Sequence, residues 1–237
     1  MNEKVNVSTK ISEPVEEAIR TLRTNIQFCN TDKMIKTICL TSCVPNEGKS
    51  VTAYNLAISM ATANKKVLHI DADMRKPRQY KDIKAKYNTG LSNYLSGMAE
   101  CNEIITETNI DNLHLILCGP KPPNPAELIG TTRFKELLET MKEKYDYIII
   151  DTPPLGSMID AAIIAAGADG TILLIAYKTV DYKKEMKVKE QLEKANANIL
   201  GVVINKIPKK ENNDYYYYND HYRKNASRKN KKSDITF

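Results

Sequence analysis

No run of 18 uncharged apolar residues occurs anywhere in the 237-residue chain, and its most hydrophobic stretch, 160–177, is broken by Asp169 within the turn-forming run 167–170. A membrane-spanning helix is therefore not expected. The first fourteen residues, MNEKVNVSTKISEP, hold neither an apolar signal core nor a small-residue cleavage site, so export is not expected and the cytosol is. Cysteine is sparse and odd in number. Cys29, Cys39, Cys43, Cys101 and Cys118 form no CxxC or Cys/His metal spacing and are read as reduced thiols, mostly buried. Internal repeats are absent as well.

Hydrophobic residues make up 42% of the chain and charged residues 27%, enough for one α/β domain with a continuous core and a short appendage. Apolar runs rich in β-branched residues at 35–41, 66–70, 113–117, 147–150, 171–176 and 200–204 read as strands buried on both faces. Helical patterns at 49–63, 132–144, 158–166 and 182–195 lie between them. This alternation predicts a doubly wound, mostly parallel α/β sheet with helices on both faces, and the GKS at 48–50 after its first strand makes it the P-loop NTPase class of fold. Residues 1–34 are expected to form an amino-terminal segment with its own helix, because Val15, Ala18, Ile19, Leu22 and Ile26 recur at helical spacing over 13–28. Residues 35–208 form the P-loop domain. In 209–237, eight Lys or Arg face four Asp or Glu, so most of the net +6 resides there, and the composition predicts a mobile basic tail.

Residues 40–50, LTSCVPNEGKS, follow one expected strand and open a helix, the context of a phosphate loop. Backbone N–H groups of Pro45, Asn46, Glu47, Gly48, Lys49, Ser50 and Val51 can converge there on phosphate, proline excepted, since it has no N–H and contributes its rigid turn. Lys49 would neutralise the outer phosphates and the Ser50 hydroxyl would reach Mg²⁺; Cys43 stands where the usual pattern opens with glycine. Two further strands end in acids, Asp71 and Asp73 in VLHIDADMR and Asp151 in YIIIDTPP. Carboxylates at the carboxyl ends of parallel strands are placed where open α/β sheets bind ligands, and Mg²⁺ prefers hard oxygen donors. The set reads as a site for ATP and Mg²⁺.

These segments resemble the Walker A, A′ and B motifs of the bacterial tyrosine kinases, in particular the separate kinase of capsular and exopolysaccharide loci in Gram-positive bacteria. Glu17, Arg20 and Arg23 resemble that family's ExxRxxR oligomerisation motif, and PPNPAEL at 122–128 resembles another shared segment, read physically as a rigid loop entering a helix. Asn205, at the end of the last strand, matches a position that in related ATPases contacts adenine, although a strand-end turn explains it equally well. Tyr215, Tyr216, Tyr217, Tyr218 and Tyr222 pack five of the 13 tyrosines into eight residues. The resemblance implies that they are phosphoacceptors, presented in trans to a neighbouring subunit of a homo-oligomer.

It also implies a membrane-embedded co-polymerase-type activator that recruits the chain to the inner face of the membrane, and a cognate phosphotyrosine phosphatase; no nucleic-acid partner is expected. Lys49, Asp71, Asp73 and Asp151 become the catalytic set, with Ser50, Asp73 and Asp151 organising the metal and Asp71 as candidate base, though Asp71 and Asp73 can exchange these roles. The rival is an ATPase switch of the Min/Par type, whose signature lysine would fall at Val44.

Overall fold

The computed structural model describes residues 4–8, 10–29, 34–76 and 89–208. All six expected strands form, each within two residues of its expected limits: β1 (Thr37–Ser42), β2 (Val67–Asp71), β4 (Leu113–Ile116), β5 (Tyr147–Asp151), β6 (Gly170–Ala176) and β7 (Ile199–Asn205). A short strand, β3 (Ile105–Glu107), was not foreseen; it pairs antiparallel with β4 at the edge of the sheet. The sheet runs β3-β4-β2-β5-β1-β6-β7, parallel apart from that edge pair. β1 lies between β5 and β6, so the chain moves to one side of β1 and later to the other. Such a reversal opens a crevice at the carboxyl ends of the strands.

Five expected helices are present: α1 (Glu13–Phe28), α2 (Lys49–Thr62), α6 (Thr132–Lys144), α7 (Asp160–Gly167) and α8 (Tyr182–Lys194). α7 starts two residues later than expected because the N–H groups of Ser157 and Met158 turn back onto the Pro154 carbonyl. Two short helices were not foreseen, α3 (Leu91–Leu95) and α4 (Cys101–Ile104), and the limits of a third, α5 (Pro125–Ile129), were not given. The loop before α5 does enter a helix, with Asn124 as its first cap and Pro125 in its first turn.

Alternation along the strands divides the core into two layers. Leu68, Ile70, Ile148 and Ile150 join the layer containing α6 and α7, while Ile38, Leu40 and Ile149 join the layer beneath α2. α2 is covered on a second side by α1, which explains why Ala53, Leu56, Ala57, Met60 and Ala61 are all buried. From α1, Ile19 and Ile26 are buried, whereas Val15 is exposed. The amino-terminal residues Val5 and Val7 are also buried, and Val5 exchanges backbone bonds with Glu107 and Asn109 at the far edge of the sheet. At the foot of β1 the Asp169 carboxylate accepts from the N–H groups of Lys36 and Thr37, so the ladder begins later than the apolar run suggests.

Candidate functional site

The turn that follows β1 reverses the chain through two left-handed residues, Asn46 at φ 67° and Gly48 at φ 97°. Only glycine fits the second, since a Cβ there would stand 2.1 Å from the Asn205 amide nitrogen. Glu47 shapes the turn from inside. Its carboxylate is buried and accepts from the Val44 N–H at 2.8 Å and from the Ala176 N–H at 3.0 Å, tying the loop to the end of β6. Gly48 is the amino-terminal cap of α2, and neither a capping side chain nor an acidic residue occupies the first turn. The positive end of that helix is left for an anion.

Lys49 and Ser50 project from this turn and are buried. The Lys49 ammonium donates to Asp151 Oδ1 at 2.7 Å and to Ser50 Oγ at 3.2 Å, joining the phosphate loop to the end of β5. Asp71 and Asp151 are register neighbours on β2 and β5, so their carboxylates emerge side by side. Asp71 Oδ1 accepts the Asp73 N–H at 3.1 Å. The remaining oxygens, Asp71 Oδ2 and Asp151 Oδ2, are buried with no hydrogen-bond partner.

Charge follows this crowding. Burial first, and the Asp151 carboxylate second, push Asp71 up to about 8. Asp73 is raised chiefly by burial, with Lys49 opposing the shift. Two unpartnered buried carboxylate oxygens beside a serine hydroxyl form a hard-oxygen set short of positive charge, which fits Mg²⁺. Among the described residues no three His, Cys, Asp or Glu side chains make a ready metal cage.

Several contacts around the site were invisible to the sequence reading. Arg75 makes a two-pronged bond to Asp160 on the first turn of α7, Nε to Oδ2 at 2.7 Å and Nη2 to Oδ1 at 2.8 Å. Gly156 approaches Cys43 so closely that a Cβ on it would lie 2.2 Å from the Cys43 carbonyl oxygen. Cys43 is buried and its thiol is raised above the ordinary range, mainly by burial.

The other expected site residues fall as follows. Pro45, Asn46 and Val51 are exposed at the rim of the turn. The Asn205 amide donates to the Glu47 carbonyl at 2.8 Å, and the Lys206 ammonium donates to the Asn46 carbonyl, so the end of β7 buttresses the turn. On α1, Glu17 and Arg20 are exposed, with Arg20 reaching Glu16 at 2.7 Å and Glu17 at 3.8 Å. Arg23 points instead into its own chain, donating to the Ser59 carbonyl at 2.6 Å and the Ser59 hydroxyl at 3.1 Å. The tail 209–237, with Tyr215, Tyr216, Tyr217, Tyr218 and Tyr222, lies outside the described residues.

The family described as an AAA domain matches residues 35–199. The tyrosine-protein kinase CpsD of Streptococcus agalactiae is 40% identical over 206 residues, 86% of this chain and 89% of that protein. The kinase domain of the Escherichia coli tyrosine kinase ETK superposes with a TM-score of 0.81 at 30% identity, covering 88% of this chain and 84% of that one. The septum site-determining protein MinD of Pyrococcus horikoshii, complexed with Mg-ADP, reaches a TM-score of 0.61 at 24% identity over 71% of this chain and 69% of its own, a likeness of fold alone. No helix among the described residues is long and apolar enough to cross a membrane.

Proposed function

The chain belongs to the bacterial tyrosine-protein kinases, and from that premise we propose that it transfers the γ-phosphate of ATP to its own tail tyrosines, Tyr215–Tyr218 and Tyr222, in trans within a ring-like homo-oligomer. The observation that carries the reading is the buried cluster in which Lys49, Ser50, Asp71 and Asp151 meet at one phosphate loop.

In this reading the turn 45–51 takes the phosphates on its backbone N–H groups and on the amino-terminal end of α2. Lys49 leaves Asp151 for the outer phosphates as nucleotide binds, which frees the Asp151 carboxylate. Ser50, Asp73 and Asp151 would hold Mg²⁺, directly or through water. The metal, when bound, neutralises phosphate oxygens and orients the triphosphate. A lone pair of the tyrosine phenol oxygen then attacks the γ-phosphorus, the bond to the bridging oxygen breaks, and ADP leaves with that electron pair. Asp71 receives the phenol proton late in the transfer. Without metal, burial and the neighbouring Asp151 carboxylate push the Asp71 carboxyl up to about 8; a cation bound beside it favours the ionised form that accepts the proton.

Autophosphorylation also supplies a switch. Each phosphate adds about −1.5 to −2 charges, so a few of them reverse the tail's basic excess, repel neighbouring modified tails and disperse the ring. A co-polymerase-type membrane protein recruits and activates the chain, a phosphotyrosine phosphatase resets it, and the cycle regulates polysaccharide synthesis and export.

The test is incubation with Mg-ATP, with and without the activator's cytoplasmic tail, followed by mass-spectrometric mapping of phosphotyrosine. Label on Tyr215–Tyr218 or Tyr222 is expected, and transfer from a tail-less donor to a Lys49→Met acceptor is expected if the reaction runs in trans. No label on those five tyrosines under either condition sinks the reading.

A further inference from the structure

Asp160 takes no part in the transfer described above, yet it is one of the most deeply buried carboxylates in the protein. Both of its oxygens accept from the Arg75 guanidinium. The pair joins two segments that each carry a carboxylate of the site. Arg75 lies two residues beyond Asp73 in the turn after β2, and Asp160 opens α7, nine residues after Asp151 at the end of β5.

The turn itself is held in shape locally, by the Asp73 N–H on Asp71 and the Lys76 N–H on Asp73. Local bonds fix a shape but not a position. Position comes from what the turn grips elsewhere: the Ala72 N–H donates to the Asp151 carbonyl at 2.8 Å, Met74 is buried, and beyond it Arg75 grips Asp160. Asp73 is thereby suspended between a backbone anchor and a side-chain anchor. α7 is a firm support, since Ala161, Ile164 and Ala165 are buried in the core.

Asp73 lies between the Lys49 ammonium, which draws its carboxylate, and the Asp151 carboxylate, which repels it. We propose that the Arg75–Asp160 pair is the clamp that fixes the Asp73 turn between them, holding Asp73 in register with Asp151, and that Asp160 is therefore a positioning residue for the metal-dependent step. A guanidinium fork suits the task because its two parallel bonds fix direction as well as distance. The inference rests on the reading of Asp73 and Asp151 as metal-organising groups.

The experiment uses the full chain and a fluorescent ADP analogue, titrated in EDTA and then against Mg²⁺, with thermal melting as a fold control. For Asp160→Asn, affinity in EDTA should stay within about twofold of the parent, while half-saturation by Mg²⁺ rises roughly tenfold or more, as for other groups that orient metal ligands. Arg75→Lys keeps the charge but loses the fork, so a shift of about threefold is expected. A parental Mg²⁺ titration in Asp160→Asn overturns the clamp, as does an affinity loss that is equal with and without Mg²⁺. Should Asp160→Asn show no melting transition, Arg75→Lys decides alone, and an unchanged Mg²⁺ titration there overturns the proposal. If the parent protein binds the analogue with no dependence on Mg²⁺, the metal assignment itself fails and the clamp with it.

Discussion

Asp71→Asn separates stability from function in a way that can be worked out from the site. In the folded protein, burial beside Asp151 pushes the Asp71 carboxyl up to about 8, whereas an aspartate in the unfolded chain loses its proton near about 3.9. Between those limits the folded state holds a proton that the unfolded state has released. Stability from this group is therefore complete below about pH 4 and is lost as pH rises toward about 8. Each pH unit in that window is worth about 1.4 kcal/mol, so the whole effect is on the order of 5 kcal/mol at most.

Asparagine has the same shape and cannot ionise. The variant should match the parent below about pH 4, exceed it by about 2 kcal/mol or more at pH 8.5, and give a flatter profile between. Urea denaturation at half-unit pH intervals, in EDTA and without nucleotide, reads this directly. Tyrosine phosphorylation by the same variant should fall by about 10²–10⁴, the usual contribution of a general base. Parallel stability profiles would refute the argument, because Asp71 would then be ionised at neutral pH like an exposed carboxylate. The match between its pKa and the working pH would then be lost, while the ionised carboxylate would still accept a proton.

Three further outcomes follow from other contacts. Lys49→Met leaves the fully buried Asp151 without its cation and should destabilise by about 3–5 kcal/mol at pH 8; adding Asp151→Asn should recover most of that in thermal melts while phosphotransfer stays absent. Gly48→Ala forces a side chain onto φ 97° and into the Asn205 amide, so it should cost at least about 1–3 kcal/mol and abolish nucleotide binding; pairing it with Asn205→Ala removes the collision but not the strain, and recovery should be partial in equilibrium dialysis. Arg23→Ala should lose about 1–3 kcal/mol through its broken bonds to Ser59, whereas Arg20→Ala, exposed, should stay within about 0.5 kcal/mol yet change the assembled size in gel filtration. Equal stability losses at the two arginines would contradict this division of labour.

The elements legible in the sequence are those whose physics is local. A strand buried on both faces must be apolar throughout, so the cores of β1, β2, β5 and β6 declared themselves. The three-residue β3 and the four- and five-residue helices α3, α4 and α5 are too short to repeat their period, and they borrow their order from what they pack against. The same boundary runs through the site. Lys49, Ser50 and the strand-end aspartates were readable because each follows its strand at a fixed offset. Ala176, which takes the other oxygen of Glu47, stands 129 residues away, and Asp160, which receives Arg75, stands 85 residues away; the topology of the sheet, not the local sequence, brings them together.

Cys43 shows why such pairings matter more than a motif's spelling. Read along the chain, it is a departure from the glycine that usually opens the phosphate loop. Across the contact, Gly156 from the loop after β5 lies against the Cys43 carbonyl oxygen, where a Cβ would stand 2.2 Å away. The close approach is to backbone, so it asks for glycine at 156 whatever side chain stands at 43. The opening of the phosphate loop is thus held against the segment that follows Asp151, a requirement no reading of residues 43–50 alone contains.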